Sequence, residues 1–401
     1  MMLQKTNLIR CARWSTQTWV AIFLTLSLVA LPLSSTAKSI FVGIALALIA
    51  LSPVYSQALL KEVKQPWCQA AILLFLVSVI ACLWSPSTTS EKLMEIEKYS
   101  KLLYLPVLAV GFRDPKARQY ALHGFLLAMV ITVFASILMI MGAFFISNVE
   151  ASGVFRNHIM TSYMMAFAAY LSGWFFLNHR GRNRIPYALL LLLFSYHLFF
   201  INNGRTGYVI YILLMALLMF QSFTWRQALL GVFFGSSLLA ITFSQSSVMQ
   251  SAVYKAVEDC QLYKKSEKDT SIGYRFQFHD YAFSLFKRHP WLGNGTAAFK
   301  HIYHEENPIP ARGTNLLEPH SQYWLIASEF GVLGCVALAL FFMCLFFATW
   351  QLNTLRPVAM AILLPFLIGN LSDSLLFYSG TGYFFILFMA LCLGEETRSD
   401  S

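Results

Sequence analysis

The chain has 401 residues, of which 57% are hydrophobic and 12% are charged. A soluble globular domain carries about 25% charged residues, so this composition excludes a water-soluble protein and predicts an integral membrane protein. The formal net charge of +10 is explained by basic loops that face an anionic membrane surface, and it does not indicate nucleic-acid binding. The seven cysteines show no metal-type spacing, and only Cys260 lies in the long polar segment, so no disulfide framework is expected.

Long stretches without charged residues follow one another along the chain, and most exceed the ~18 apolar residues that mark a membrane-spanning helix. A weaker segment, 93–112, carries charges in its first half but is apolar from Lys101 onward. Together they predict an all-α protein with about 12 transmembrane helices. The charge-free runs are 14–37, 39–60, 65–90, 119–149, 157–179, 185–204, 206–225, 227–254, 330–355, 357–372 and 374–394.

The basic residues predict an orientation in the membrane. Lys5, Arg10 and Arg13 precede the first run, so the positive-inside rule places the N-terminus in the cytoplasm. If 93–112 is a span, most short basic loops, and the tail with Arg398, also lie inside. Without this span the later loops change sides, and the excess of basic residues on the cytoplasmic side disappears. A cleaved signal peptide is the alternative for the first run, but the run is longer than a typical signal. We therefore expect both termini in the cytoplasm.

The predicted organisation has three parts. Residues 1–245 hold transmembrane helices 1–9, residues 246–319 form one large outside loop, and residues 320–401 hold transmembrane helices 10–12 and a short cytoplasmic tail. Within this long loop, 272–288 has apolar residues at helical spacing, which predicts an amphipathic helix with Ser271 as its cap. The helix is expected to stop at His289-Pro290, before a glycine-rich turn.

Ionisable residues are scarce in the predicted spans, and the clear case is Asp373, near the outer end of span eleven. Proton- or ion-coupled transporters bury several such groups near the midplane. Their scarcity argues against a transporter, which stays as an alternative of a different class, and it directs attention to the outer ends of the spans.

Arg205 follows Gly204 at an outside junction between two spans. The start of a helix presents free N–H groups and a positive dipole end that favour an anion, and the forked guanidinium can hold a phosphate. An arginine that extends to lipid headgroups is the alternative. Arg275 opens the amphipathic helix of the long loop, one turn before His279, and a solvated face residue is the alternative there.

His320 lies just after Pro319, and proline is favoured in the first turn of a helix. If span ten begins there, Gly331 and Gly334 share the face of His320 at about 100° per residue, and this small-residue face allows close helix packing. A titratable group above such a face is a candidate functional residue.

Other polar residues of the long loop give weaker patterns. His301, His304 and Glu305 resemble part of a metal site, but no third ligand is spaced convincingly. Glu305, Glu306 and Glu318 are expected to be solvated or paired with Lys300 and Arg312, and no carboxylate pair stands out as an acid and base.

Three motifs together resemble the O-antigen ligase (WaaL) family, whose C-terminal half is shared with O-antigen polymerases and bacterial protein O-oligosaccharyltransferases. His320-Ser321, followed after nine residues by Gly331 and then by Gly334, is similar to the ligase pattern. Gly204-Arg205-Thr206-Gly207 resembles the family's arginine turn, although the family more often has Ser or Thr before the arginine. The run from Ile272 to Arg275, continuing to the Pro290–Gly295 turn, resembles the family's loop helix and Pro-x-x-Gly-x-Gly turn.

The resemblance implies a GT-C-like, metal-independent, inverting glycosyltransferase without a cofactor. Such an enzyme transfers O-antigen from undecaprenyl pyrophosphate to the lipid A–core oligosaccharide at the periplasmic face of the bacterial inner membrane. The resemblance implies that Arg205 and Arg275 bind the pyrophosphate and that His320 is the base. Arg156, His279, Ser321 and Asp373 are weaker candidates.

Two relatives within the same resemblance remain alternatives. Protein O-oligosaccharyltransferases use the same glycan donor but usually carry a further C-terminal soluble domain, whereas this chain ends at Ser401, soon after its last predicted span. O-antigen polymerases fit the His320 motif less well. The sequence therefore favours the ligase.

Overall fold

The computed structural model describes residues 15–143 and 149–395, so the basic residues Lys5, Arg10, Arg13 and Arg398 of the orientation prediction lie outside the described residues. The described part of the chain is all-α, as predicted, and contains no β-strand. In chain order the helices are α1 (Thr16–Leu33), α2 (Ser35–Leu51), α3 (Pro53–Glu62), α4 (Pro66–Ile80), α5 (Thr89–Gly111), α6 (Pro115–Ile140), α7 (His158–Asn178), α8 (Ile185–Tyr196), α9 (Arg205–Ser222), α10 (Trp225–Gln245), α11 (Ser247–Lys264), α12 (Ser271–Arg288), α13 (Ala298–Glu306), α14 (Gln322–Trp350), α15 (Arg356–Gly369) and α16 (Ser379–Leu393).

Within the described ranges, 8 helices are long and apolar enough to cross a membrane, or up to 9 if the pair α2 and α3, bent by 94°, forms one span. They are α1, α4, α6, α7, α8, α9, α10 and α14, some with an adjoining short helical turn. The other predicted spans correspond to the charged helix α5 and to two short apolar helices, α15 with 14 residues and α16 with 15. The chain is thus a multi-pass membrane protein, while the count of about 12 spans stays a prediction.

The centre of the bundle is aromatic. Helices α7 and α16 are the most enclosed, and the ring of Phe167 lies with its centroid 5.2 Å from that of Phe384 and 4.8 Å from that of Phe388. Edge-to-face contacts of this kind add to the free energy of simple burial. Helix α16 also packs on α5 and α15, so the segment that joins α15 to α16 is held between several helices.

The long loop (246–319) builds a second, smaller core. Helix α12 matches the predicted amphipathic helix, but Thr270 caps it instead of Ser271, since the Thr270 hydroxyl accepts from the Gly273 N–H at 3.1 Å. Helix α11 was not predicted; Ser246 caps it. This core also includes residues outside the long loop, so it is packed directly onto the start of α14 and onto the α15–α16 segment. Its buried members are Phe278, Tyr281, Ala282, Leu285, Phe299, Tyr303, Ile309, Leu316, Leu325 and Phe377.

Helix α14 is broken at Gly331, whose backbone has φ 60° and ψ −154°. Only glycine adopts this conformation readily, and a β-carbon there would lie 2.6 Å from the Pro290 carbonyl oxygen. The Pro290–Gly295 turn fills the break: the Val332 N–H donates to the Pro290 carbonyl at 2.8 Å, and the Gly295 N–H donates to the Glu329 carbonyl at 2.8 Å. Backbone groups freed by a helix break inside a membrane protein need such partners.

This break corrects the prediction for Gly331 and Gly334. The predicted common face with His320 requires one continuous helix, and the chain is not helical at Gly331 or before Gln322. A β-carbon on Gly334 would meet the side chain of Phe330 at 2.3 Å, a residue of its own helix just before the break. Gly331 therefore allows the long loop to enter α14, Gly334 leaves room for the Phe330 side chain beside the break, and the two glycines do not form a seam below His320.

Candidate active site

His320 lies outside α14, two residues before the helix begins, so the predicted start at Pro319 is wrong. Ser321 is the cap, and its side chain accepts from the Trp324 N–H. The backbone of His320 is left-handed, with φ 53°, a conformation that costs of order 1–3 kcal/mol for such a residue. Two hydrogen bonds hold it there: its N–H donates to Glu318 Oε2 at 2.7 Å, and its carbonyl accepts from His279 Nε2 at 3.2 Å.

The imidazole of His320 lies between two carboxylates. Its Nδ1 atom is 3.0 Å from Asp373 Oδ1 and 3.1 Å from Glu318 Oε1. Ionised carboxylates only accept hydrogen bonds, so Nδ1 carries the proton and the neutral ring keeps Nε2 as its acceptor. The ring of Phe278 stacks at 5.8 Å and limits its rotation. The side chain is 27% exposed, so a substrate can reach the ring.

Glu318 is a site residue that the sequence analysis misplaced. We expected it to be solvated or paired with Lys300 or Arg312, but it is buried. Its Oε2 accepts from the Ser374 hydroxyl at 2.5 Å and its Oε1 from the Tyr378 hydroxyl at 2.8 Å. The sequence signal was the position of Glu318, two residues before His320. This spacing brings the carboxylate to the imidazole because the backbone of His320 is left-handed.

Asp373 lies on the segment 370–378 between α15 and α16, and not inside a span as predicted. While its Oδ1 accepts from His320, its Oδ2 lies 3.7 Å from a guanidinium nitrogen of Arg275. Asp373 is buried, so both contacts are partly shielded from water and their electrostatic energy is larger than at an exposed surface. The predicted base and one predicted phosphate-binding residue are thus joined through one carboxylate.

Arg205 is the first residue of α9, as predicted. Its guanidinium lies 3.3 Å from Asp259 Oδ2 and donates to the Ser271 hydroxyl at 3.0 Å. Asp259 and Ser271 also line a cleft of about 640 Å³, so this cleft opens beside the guanidinium. The glycines before and after Arg205 leave no room for a side chain, since a β-carbon on Gly204 would lie 2.6 Å from Ser162 Oγ.

Helix α12 connects the two arginines. Ser271, its first residue, is bonded to Arg205, and Arg275 follows one turn later and faces Asp373. The side chains of Arg205 and Arg275 are 30% and 25% exposed, so both guanidinium groups remain accessible to an anion. The structure therefore joins Arg205, α12, Arg275, Asp373 and His320 in one continuous series of contacts.

His279 supports the site through the backbone. It lies one turn after Arg275 on α12, and burial lowers the pKa of His279 below its ordinary value of 6.5, with a further contribution from the charge of Arg275. The ring is therefore neutral near pH 7, and its Nε2–H donates to the His320 carbonyl. This bond makes His279 a residue that fixes the left-handed turn.

Glu318, His320 and Asp373 also form the one trio in the described residues whose ligand atoms are close enough to hold a metal ion, within 4.8 Å of one another. Both oxygens of Glu318 already accept hydrogen bonds from hydroxyl or N–H groups. A metal would have to displace those donors, and the 3.0–3.1 Å separations at Nδ1 are hydrogen-bond distances. The donor set fits a hydrogen-bonded triad better than a metal centre.

Several residues considered in the sequence analysis lie apart from this cluster. Arg156 caps the end of α1, with two guanidinium nitrogens donating to the Leu31 carbonyl. His301 lies between Glu91 and Glu305. A cleft of about 710 Å³, larger than the one beside Arg205, is lined by Trp84 and by residues 290–294 of the Pro290–Gly295 turn. It contains none of the predicted site residues.

The comparison with known families gives a match that includes three of the predicted site residues. Residues 188–339 match the family described as O-antigen ligase. No curated protein matches the chain. The matched range runs from α8 into α14 and contains Arg205, Arg275 and His320, whereas Asp373 lies beyond it. Over residues 188–339 the chain is therefore similar to the O-antigen ligase family, as the sequence motifs predicted.

Proposed function

We propose that the protein is an O-antigen ligase, which transfers O-antigen polysaccharide from undecaprenyl pyrophosphate to the lipid A–core oligosaccharide. The observation that carries the proposal is His320 Nδ1 held 3.0 Å from Asp373, whose other oxygen faces Arg275. A base and a cation linked in this way suit a reaction that removes a proton at one atom and releases negative charge at another.

In the proposed reaction, His320 Nε2 takes the proton of an acceptor-sugar hydroxyl as its oxygen attacks the anomeric carbon of the glycan donor. The bond between that carbon and the pyrophosphate oxygen breaks, and the undecaprenyl pyrophosphate leaves with the bonding electron pair. Attack opposite the leaving group inverts the anomeric centre. Asp373 and Glu318 stabilise the imidazolium that forms and hold the ring orientation, as a carboxylate does for other catalytic histidines.

Arg205 and Arg275 stabilise the leaving pyrophosphate. The negative charge on the pyrophosphate increases as its bond to the anomeric carbon breaks. Cations beside the pyrophosphate therefore bind the transition state more tightly than the ground state. Both guanidinium groups face a carboxylate, Asp259 or Asp373. These carboxylates hold the arginines in place before the glycan donor binds, and the exposed faces of the arginines receive the phosphate oxygens.

The proposed setting is the bacterial inner membrane, with both termini in the cytoplasm and the long loop (246–319) in the periplasm between transmembrane helices 1–9 and 10–12. The bundle, arranged as in GT-C-like enzymes, would accommodate the polyprenyl chain between its apolar helices. The basic loops Lys61/Lys64, Arg113/Lys116/Arg118 and Arg180/Arg182/Arg184 would then face the cytoplasm, as the positive-inside rule requires.

The test is complementation of a strain that lacks its O-antigen ligase, with lipopolysaccharide read as a ladder on a gel. The wild-type chain is expected to restore the ladder, and Arg205→Ala, Arg275→Ala and His320→Ala are each expected to abolish it at equal protein level. A normal ladder from the His320→Ala variant would reject the assignment of His320 as the base.

The ligase-null strain, together with a polymerase-null strain, distinguishes the related activities. If the chain is a protein O-oligosaccharyltransferase, the ladder stays absent while a co-expressed pilin acquires glycan. If it is an O-antigen polymerase, a polymerase-null strain regains long chains and the ligase-null strain does not. Either result would replace the ligase assignment but keep the same glycan donor.

A further inference from the structure

Lys101 of α5 holds the segment that carries Asp373. The side chain is buried, and its ammonium donates to three consecutive carbonyl oxygens of that segment, those of Leu376 at 2.8 Å, Phe377 at 3.2 Å and Tyr378 at 3.3 Å. An ammonium has three N–H donors, so these contacts use its full hydrogen-bonding capacity.

Burying a charged ammonium costs desolvation free energy. Among the described residues no ion pair joins the Lys101 ammonium to a carboxylate within 4.0 Å, so the three carbonyl dipoles, with the Tyr383 ring centroid 5.9 Å away, replace its hydration. Ionisable residues in such a position are rare and usually functional. Gly382 on α16 leaves the necessary space, because a β-carbon there would lie 2.7 Å from the ammonium nitrogen.

Two other lysines contact this region, Lys98 at the segment itself and Lys38 at the start of α16 that follows it. The Lys98 ammonium lies 3.5 Å from the centroid of the Phe377 ring. Lys38 of α2 donates to the Ser379 hydroxyl at 3.1 Å and lies 3.6 Å from the centroid of the Tyr383 ring. All three lysines come from helices before residue 112, outside the family-matched range 188–339.

The segment in turn sets the groups around His320. Tyr378, whose carbonyl accepts from Lys101, donates its hydroxyl to Glu318. The Phe377 N–H donates to the side-chain oxygen of Gln322, at the start of α14. Asp373 lies on the same short segment, so a shift at Phe377 and Tyr378 would be passed on to its carboxylate over four or five residues.

We propose that Lys101 is a positioning residue for the glycosyl transfer. Its ammonium fixes the segment 370–378 so that Asp373 reaches His320 Nδ1 and Tyr378 reaches Glu318. The proposal rests on the proposed function, and it assigns to the N-terminal helices a direct part in orienting the base.

The test uses the full chain purified in detergent, with an undecaprenyl-pyrophosphate-linked glycan and lipid A–core as substrates. Lys101→Met is expected to lower kcat by about tenfold or more while KM for the glycan donor changes by less than about threefold. Combined with Asp373→Asn, it is expected to be no slower than Asp373→Asn alone, because two changes that act through one contact are not additive.

Lys92→Met is the matched control. Lys92 is on the same helix, but its ammonium donates to the Cys82 carbonyl and not to the segment, so this variant should keep the wild-type kcat. If Lys101→Met does not fold, Gly382→Ala gives a smaller displacement of the same ammonium and is expected to lower kcat in the same way.

Two results would overturn the inference: a wild-type kcat in folded Lys101→Met or Gly382→Ala, or effects of Lys101→Met and Asp373→Asn that multiply in the double variant. The proposed function fails separately. If His320→Ala remains active, the proposed chemistry is wrong whatever Lys101 does, whereas an inactive His320→Ala beside a normal Lys101→Met rejects only the positioning role.

Discussion

The guanidinium of Arg205 donates to the hydroxyl of Ser271 at 3.0 Å, so the first residue of α9 is bonded to the first residue of α12. Arg275 lies one helical turn further along α12, about 6 Å higher on the helix axis. The relative position of the two guanidinium groups therefore depends on a protein contact, and in the proposed function the pyrophosphate would meet both cations.

Arg205→Lys tests whether the guanidinium fork matters beyond its charge. Lysine keeps the charge but cannot bind Asp259, Ser271 and a phosphate oxygen together, so KM for the glycan donor is expected to rise about tenfold or more. Steady-state kinetics at varied glycan donor concentration measure this. Arg182→Lys, in the exposed turn Gly181–Arg184, should behave as wild type, and an unchanged KM in Arg205→Lys would argue against phosphate binding there.

Asp373→Asn tests the carboxylate that faces His320. An amide can present N–H in place of an oxygen and favour the wrong tautomer, so kcat is expected to fall by about 100-fold or more. Because Asp373 does not contact the acceptor in the proposed reaction, KM for the acceptor should change little. Asp280→Asn, at an exposed position of α12, is the matched control; equal rates for the two variants would remove Asp373 from the mechanism.

Gly331→Ala tests the broken helix. A β-carbon at φ 60° would lie 2.6 Å from backbone atoms of the Pro290–Gly295 turn, so the variant is expected to be destabilised by about 1–3 kcal/mol or more. Thermal unfolding in detergent measures the change. Gly235→Ala, where nothing lies within 4 Å of the added carbon, should not lower the melting temperature. Equal melting temperatures would mean that the turn can move away.

Chelation tests the choice between a hydrogen-bonded triad and a metal centre. Since both Glu318 oxygens accept hydrogen bonds from protein groups, activity is expected to be unaffected by EDTA, and the purified protein is expected to contain less than one divalent ion per chain. Elemental analysis and an activity assay before and after dialysis provide the measurement. Loss of activity restored by one particular cation would show that the trio binds a metal.

The residues of the candidate site that have a local signal could be proposed from the sequence. Arg205 could be found because it follows a glycine at a helix start, and His320 because a proline and a fixed spacing to two glycines surround it. Helix α12 was predicted closely, since its apolar residues recur at helical spacing over the whole element.

The rest depends on contacts between distant parts of the chain. Glu318 is near His320 in sequence, but only the left-handed turn at His320 brings its carboxylate to the ring. Asp373 is 53 residues from His320, and nothing local indicates that it faces both Arg275 and the imidazole. The break at Gly331 could not be predicted either, because helical spacing assumes a continuous helix and the Pro290–Gly295 turn that fills the break comes from another region.

The shortness of α15 and α16 has a consequence for the surrounding lipid. At 1.5 Å per residue, helices of 14 and 15 residues rise about 21–23 Å, less than the ~30 Å hydrocarbon thickness of a typical bilayer. If both are spans, as predicted, the segment that joins them, with Asp373 and its bond to His320, would lie below the level of the surrounding headgroups, or the bilayer would thin locally to meet it. In the proposed function the substrate phosphate is carried on a lipid and would arrive at this depth directly, whereas a free sugar phosphate in the aqueous phase would have to shed its hydration to reach it.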